Sequence, residues 1–221
     1  DLSVTYSGGV SLHSVIVEDG AIDITAAGKI RATTVVSSVD KDLNDIALIS
    51  TGGGILVSDV NSGANNDVVL KAAGAIMEDG DNGTFIIADE LHMNAGGAIT
   101  VDTAVKTVHA ATTGPGDISV QDEGGVVLES VVVADGKINV QAGRGITAIF
   151  LESKKDSDNN DIRLIANEGQ IGLGTVNAGR SGDVFLIAKP VVNVNHQFNP
   201  VVMKNLESDD LILSLIHISE P

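Results

Sequence analysis

The chain has 221 residues and no cysteine, and its 30 acidic against 13 basic residues give a formal net charge of -17. So acidic a chain is a poor partner for nucleic acid or an anionic membrane surface, and without cysteine it can form no disulfide. Aromatic residues make up 2% of the composition and glycine occurs 25 times, which predicts a thin core of Val, Ile, Leu and Ala. No apolar run reaches the roughly 18 residues that a membrane-spanning helix needs.

A short motif recurs along the chain. It consists of an apolar residue, any residue, a second apolar residue, any residue and a small residue, followed by Gly and then Ile or Val. Residues 22–30, 68–76, 91–99 and 138–146 show it. Alternation with period two predicts a β-strand, because successive side chains point to opposite faces. The Gly predicts a corner, since it tolerates the positive φ of a sharp turn.

Nine such strands can be placed. They begin at Leu2, Ile22, Ile46, Val68, Leu91, Ile118, Ile138, Ile162 and Val184, with spacings of 20, 24, 22, 23, 27, 20, 24 and 22 residues. Asn-Asp or Gly-Asp precedes most starts, a turn pair whose carboxylate can accept hydrogen bonds from nearby backbone. We therefore predict an all-β fold, a single-stranded parallel β-solenoid (β-helix) of roughly nine coils with 20–27 residues per coil.

A longer repeat contains these units. Residues 2–73 align without a gap on residues 118–189, and 32 of the 72 aligned pairs are identical. Five units thus form a period of 116 residues, as in arrays whose units bury their apolar faces against neighbours. We predict that residues 1–189 form one repeat array. The chain begins in mid-repeat, so we expect it to be an internal piece of a longer protein.

Stacked coils predict columns of side chains. The first inward column would contain the nine strand starts, and the second would contain Val4, Ile24, Leu48, Leu70, Met93, Val120, Val140, Leu164 and Leu186. A third would be mostly Ala, where the coil narrows into a corner. Ile24 and Ile138 should be buried, while Asp23 and Asn139 should face solvent. Nine coils at about 4.8 Å each would form a rod roughly 40 Å long.

The C-terminal part departs from the repeat. The copy diverges after Pro190, so residues 190–212 are interpreted as a degenerate or partial coil, the alternative being reading-frame damage in this segment. Residues 213–221, LSLIHISEP, resemble the in-frame translation of a transposon adapter used in sequencing libraries. We exclude them from fold and function, as one excludes a fusion scar. Such a tail indicates an assembled metagenomic or draft-genome fragment.

One region carries a family resemblance. The run ADELHMNAGGAITVDTAV at residues 88–105 is followed by GDISV at 116–120 and by GGVVL at 124–128. These features resemble the repeats of giant bacterial surface exoproteins of the filamentous haemagglutinin-like and large-adhesin kind, and the resemblance covers most of residues 2–189. It implies secretion to the bacterial cell surface and an extracellular, structural or adhesive role.

From this resemblance we expect a shaft segment of a large secreted adhesin without catalytic activity. Its neighbours in the assembly would be further repeats of the parent chain. A host surface, an environmental surface or a glycan would be bound through regions outside these residues.

Two acidic loops are candidate calcium sites. Asp40, Asp42, Asn44 and Asp45 recur as Asp156, Asp158, Asn160 and Asp161. Oxygen ligands at alternate positions suit a hard cation such as calcium. However, the sixth position is Asp where a calcium loop has Gly, and the twelfth is Thr51 or Asn167 where it has Glu. The alternative is a pair of solvated acidic return loops.

An enzyme is the rival class, because solenoids can also form polysaccharide-binding or polysaccharide-degrading (lyase or hydrolase) modules. A catalytic site would need acidic or basic residues clustered on neighbouring coils of one outer face. The predicted outward column shows no such cluster: Ser3, Asp23, Ala47, Val69, His92, Ser119, Asn139, Arg163 and Phe185. His13, His92, His109 and His196 fall at different positions of the unit and are interpreted as separate surface residues.

Overall fold

The structure is a computed structural model that describes residues 1–41, 43–80, 83 and 85–188, and the backbone of three strands within residues 201–215. In the first copy and the segment after it, the strands are β1 (Leu2–Tyr6), β2 (Val10–Leu12), β3 (Val15–Val17), β4 (Ile22–Ala26), β5 (Ile30–Ser37), β6 (Ile46–Ser50), β7 (Ile55–Asn61), β8 (Val68–Ala72), β9 (Ile76–Glu78), β10 (Ile86–Ala95) and β11 (Ile99–Thr112). Those that follow are β12 (Ile118–Asp122), β13 (Val126–Val133), β14 (Ile138–Ala142), β15 (Ile146–Ser153), β16 (Ile162–Ala166), β17 (Ile171–Asn177), β18 (Val184–Ala188), β19 (Val201–Val202), β20 (Asn205–Glu207) and β21 (Leu211–Leu215).

The strand pairs are parallel, and each joins one coil to the next. In the first coils β4 lies between β1 and β6, and β8 lies on the far side of β6. The backbone N–H and C=O groups of one coil are therefore satisfied by the coils on either side. This arrangement confirms the predicted all-β parallel β-solenoid of about nine turns.

Side chains alternate between the core and the outer face as predicted. Ile24 is 1% exposed and Ile138 is fully buried. Asp23 is exposed and Asn139 is half-exposed on the outer face. The buried residues form one continuous apolar core that runs the length of the stack. Because the interior is built from aliphatic residues of similar size, each coil repeats the packing of the last.

Two inward columns run through the whole stack. The first consists of Leu2, Ile22, Ile46, Val68, Leu91, Val108, Leu128, Ala148 and Leu173. The second consists of Val10, Ile30, Ile55, Ile76, Ile99, Ile118, Ile138, Ile162 and Val184. Both are apolar throughout.

The predicted order of the first column is wrong at one point. The repeat alignment stacks Ile118 on Leu91, but Leu91 pairs with Val108, and Ile118 pairs with Ile99. The strand starts of the second copy therefore continue the column that begins at Val10. The second copy is displaced around the coil by one face, and the 116-residue period is not a whole number of coils.

The displacement has its cause in β11. This strand has 14 residues, from Ile99 to Thr112, and its sequence ITVDTAVKTVHAAT contains no Gly, Pro or Asn. Its single Asp, Asp102, is paired with Gln121 within the ladder. Without Gly, Pro or Asn the chain makes no return loop here and runs directly from one face of the coil to the next. The coil from Leu91 to Val108 is consequently shorter than its neighbours.

The two copies nevertheless share their strands without any shift. At an offset of 116 residues, β1 corresponds to β12, β4 to β14, β5 to β15, β6 to β16, β7 to β17 and β8 to β18, with identical bounds. A slip of one residue would have exchanged the inner and outer faces. Local sequence thus sets strand position even where the stacking partner differs.

The predictions for residues 190–212 and 213–221 lie mostly outside the described residues. Within them the structure places only the backbone of β19, β20 and β21, and these strands pair in parallel with β17 and β18.

We expect Ile138→Ala to destabilise the fold by roughly 2 to 5 kcal/mol, because it leaves a cavity in a fully packed column. Chemical denaturation followed by far-UV circular dichroism measures the change. Asn139→Ala, at the adjacent outward position, is the matched control and should change stability by less than about 1 kcal/mol. Equal losses for the two variants would contradict the assigned inward column.

Candidate functional site

The first acidic loop bonds its own coil and the next one. Asn44 is 5% exposed, and its Nδ2 donates to Asp19 Oδ1 at 3.1 Å and to Val39 O at 2.9 Å. Asp40 accepts from the backbone N of Asn65 at 2.9 Å. Asp45 accepts from the backbone N of the residue before β8 at 3.0 Å. Asp42 lies outside the described residues.

The second loop repeats these contacts. Asn160 is 3% exposed and its Nδ2 donates to Asp135 Oδ1 at 3.3 Å and to Lys155 O at 2.9 Å. Asp156 Oδ1 accepts from Ser181 N at 2.8 Å. Asp161 Oδ1 accepts from the backbone N before β18 at 3.2 Å. Asp158, the remaining predicted ligand, is exposed.

A glycine completes each loop. Gly63 and Gly179 are equivalent in the two copies and have φ of 92° and 80°. A Cβ on Gly63 would lie 2.5 Å from Asp40 Oδ1, and one on Gly179 would lie 2.8 Å from Asp156 Oδ1. The glycines therefore allow both the left-handed backbone and the close approach of the carboxylate.

These hydrogen bonds supply a physical reason why Asp, Asn and Asp recur in both copies. Asp40, Asn44, Asp45 and their copies each satisfy backbone groups of a return loop or of the next coil, so the retention of these three positions requires no ion. The bonds use only part of each carboxylate's acceptor capacity. Calcium binding at these loops therefore stays a prediction.

An ion pair flanks each buried Asn. Lys41 Nζ lies 2.5 Å from Asp19, and Lys155 Nζ lies 2.6 Å from Asp135. The hydrogen bond from each lysine, and next the one from the Asn, lowers the pKa of Asp19 and of Asp135. Because these pairs are exposed, solvent screening keeps their contribution to stability small.

A second cluster lies on the outer face of β10 and β11. His92 and His109 are register partners on adjacent coils, and their rings stack with centroids 4.4 Å apart and planes 9° apart. Glu90, two residues before His92, places its Oε2 at 3.2 Å from His92 Nε2 and 3.7 Å from His109 Nε2. Among the described His, Asp and Glu side chains, these three form the only group whose potential ligand atoms all converge within 4.8 Å.

The structure thus corrects the prediction that His92 and His109 are separate. The predicted outward column has Ser119 after His92, whereas the structure has His109 there, followed by Ser130. The sequence does carry a signal for this: LHMNAGG at residues 91–97 and VHAATTG at residues 108–114 share the strand motif and place His second. The small residues at 110 and 112 obscure that motif.

A buried carboxylate lies where the two copies meet. Asp122 is 2% exposed, and its oxygens accept from Thr103 Oγ1 at 2.9 Å, Val105 N at 3.1 Å and Gly124 N at 2.8 Å. Burial raises the pKa of Asp122 above its ordinary value, and the three hydrogen bonds offset this only in part. In the same column the next coils carry Ala142 and Ala166.

Comparison of the chain with protein-family models, with curated proteins and with solved structures finds no match. Over the described part of the chain there is no helix that could span a membrane.

We expect Asn160→Ala to lower the free energy of unfolding by roughly 1 to 3 kcal/mol, because it removes the amide that satisfies Lys155 O and Asp135 inside the loop. The control is Asn159→Ala, one residue earlier at an exposed position. Equilibrium denaturation compares the two. The hydrogen-bond assignment is contradicted if the Asn160 variant is as stable as the control.

For calcium, we expect millimolar Ca²⁺ to raise the melting temperature relative to chelator, because the ion would bind the folded loops better than the unfolded chain. Converting both Asp42 and Asp158 to Ala should abolish the rise while leaving the far-UV spectrum unchanged. Identical melting of the unmutated protein in Ca²⁺ and in chelator would show that the loops are turns only.

We expect Asp122 to make the folded state more stable at acidic pH than at neutral pH. A folded pKa raised above the unfolded one gives stability that is present below about pH 3.8 and is lost as the pH rises through the raised pKa. Asp19 and Asp135 have lowered pKa values, so their contribution to stability is lost as the pH falls. Both the unmutated protein and Asp122→Asn carry this contribution, so it cancels when the unfolding free energy of the variant is subtracted from that of the unmutated protein. This difference should grow as the pH falls through the raised pKa toward about pH 3.8, by up to about 1.4 kcal/mol per pH unit, and should be constant below that pH.

Denaturation between pH 3 and pH 7 tests this expectation. The exposed Asp23→Asn is the control for loss of one surface charge. A constant difference between the unmutated protein and the Asp122 variant across that range would contradict it.

Proposed function

We propose that this chain is a structural shaft segment of a large secreted bacterial surface adhesin, of the filamentous haemagglutinin-like kind, and that it has no catalytic activity of its own. The observation that carries the proposal is the uninterrupted parallel stack. Each inner coil bonds two neighbours and the two inward columns are apolar throughout. Pairing continues across the register shift between Val108 and His109, where β11 meets β13. Such a stack lengthens by about 4.8 Å per coil and makes a stiff spacer.

The polar groups on the outside support the same role. The Asp and Asn side chains of the return loops join one coil to the next. For example, Asp45 accepts from the backbone N of residue 67, and Asp161 accepts from the backbone N of residue 183. The net charge of -17 would repel neighbouring shafts and keep them apart at a crowded cell surface. Under this proposal the adhesive contact to a host surface, an environmental surface or a glycan is made by other parts of the parent protein.

A second candidate is a polysaccharide-binding or polysaccharide-degrading module. The observation that favours it is the Glu90, His92 and His109 cluster, which offers a carboxylate and two imidazoles on one outer face. Lys71, Asn94 and Ser130 line the shallow depression beside it. Groups of this kind can act as general acid and base if a sugar lies across them.

Pulling the chain along its axis by single-molecule force spectroscopy tests the shaft role. We expect extension in steps of whole coils, each releasing 17–25 residues and therefore roughly 55 to 85 Å of contour, because each coil bonds only its neighbours. Smooth extension at low force, with no steps, would contradict a load-bearing shaft.

Assays on neutral and acidic polysaccharides separate the two candidates. The shaft proposal expects no reducing ends and no unsaturated uronate products. Product formation that disappears in Glu90→Gln would establish the enzyme in its place.

A further inference from the structure

We propose that Glu90, His92 and His109 form a binding site for one zinc ion that links two adjacent coils of the solenoid. The proposal is independent of the shaft function, since it concerns a ligand of the outer face. It begins from the arrangement of three ligand-bearing side chains, of which only two are close in sequence.

The spacing of the potential ligand atoms suits a tetrahedral ion. Nitrogen and oxygen ligands at 2.0 to 2.2 Å from a tetrahedral zinc lie about 3.4 Å from each other. Glu90 Oε2 lies 3.2 Å from His92 Nε2 and 3.7 Å from His109 Nε2. The ligand nitrogens of the two rings lie within 4.8 Å of each other. Because the rings are stacked nearly parallel, their in-plane lone pairs are parallel, so both imidazoles must rotate toward a common point to bind one ion.

The two strands hold these side chains in place. β10 pairs with β8 on one side and with β11 on the other, and β11 pairs in turn with β13. The stacked rings present both Nε2 atoms to the same carboxylate oxygen. A site on paired strands is more rigid than a site on a loop, which reduces the entropy lost on binding.

The ligand chemistry selects the ion. Imidazole nitrogen favours zinc and other first-row transition ions, whereas calcium and magnesium favour oxygen ligands alone. Two His and one Glu supply three ligands and leave the fourth position to water, which is a known zinc arrangement. The side chains are 39%, 30% and 44% exposed for His92, His109 and Glu90, so an ion has direct access from solvent.

The surroundings favour a cation. The backbone N of Glu90 donates to Asp67 Oδ1 at 3.2 Å, which places a second carboxylate behind the site. Lys106, on the next coil, pairs with Asp89 at 3.0 Å. Lys106 and Asp89 thus neutralise each other. The carboxylates of Glu90 and Asp67 outweigh Lys71, which lines the depression beside the cluster. The remaining negative charge attracts a divalent ion.

A zinc ion at this cluster would link β10 to β11 at the short coil. β11 runs from one face to the next without the return loop whose Asp and Asn side chains join other coils. A zinc ion held by His92 and Glu90 on β10 and by His109 on β11 would supply such a link at the short coil. It would bind the folded chain in preference to the unfolded one and raise its melting temperature.

Isothermal titration of the whole chain with ZnCl₂ tests the site. We expect one ion per chain, a higher melting temperature with zinc, and no comparable response to Mg²⁺. His92→Ala and His109→Ala should each weaken binding at least about tenfold, since even the loss of a group that only supports a ligand costs this much. His13→Ala, at an exposed position on another coil, is the matched control and should bind like the unmutated protein.

A second measurement needs no variant. Zinc should protect His92 and His109, but not His13, from modification by diethyl pyrocarbonate, as read by mass spectrometry. Unchanged zinc affinity in the double variant His92→Ala/His109→Ala, or equal modification of all three histidines with and without zinc, would overturn the proposal. In either case the pair would be a stacked surface contact, and zinc would bind the acidic surface without a defined site.

Discussion

Everything in this molecule depends on the parallel backbone ladder between successive coils. A coil has no partner within itself for the N–H and C=O groups of its strands, so it must bond the coil before and the coil after. The ladder fixes the register, and the register decides which side chains meet. Once Leu2, Ile22 and Ile46 are stacked, their inward direction and their burial follow from the period of two. The aliphatic columns then stabilise the register that created them.

The return loops satisfy the backbone groups that lie beyond the ends of the strands. Where the strand ends, backbone groups lose their regular partners, and the buried amides of Asn44 and Asn160 replace them. Carboxylates before the next strand accept the N–H of the following coil. Asp40, Asn44 and Asp45 recur in the second copy and form such bonds, whereas Lys41 between them changes to Ser157. Polar residues that recur within one chain are therefore explained first by the backbone groups they hydrogen-bond, and a ligand is not needed to explain them.

Most of the fold could be predicted because strand, corner and loop are each encoded locally. Val68-x-Leu70-x-Ala72 and its copy show the same strand from the same few residues. The stacking order could not be predicted as securely, since it depends on how many residues each coil uses. β11 contains no Gly, Pro or Asn and makes a short coil, so Ile118 stacks on Ile99 and the alignment alone misassigns it. The pairing of His92 with His109 was missed for the same reason, and so was the buried place of Asp122, which follows from its neighbours Thr103 and Ala142.

The second copy is displaced around the coil by one face at β11. The stacked columns, the buried Asp122 and the pairing of His92 with His109 all depend on this displacement. The chain contains no cysteine, so a designed pair would be the only one present. Asn94 and Ala111 are register partners on adjacent coils with outward side chains, whereas the repeat alignment pairs Asn94 with Gln121. A disulfide needs Cα atoms about 4.4 to 6.8 Å apart, which adjacent parallel strands provide. We predict that Asn94→Cys/Ala111→Cys forms an intramolecular disulfide under mild oxidation and that Asn94→Cys/Gln121→Cys does not; the reverse result would contradict the displaced stacking of the two copies.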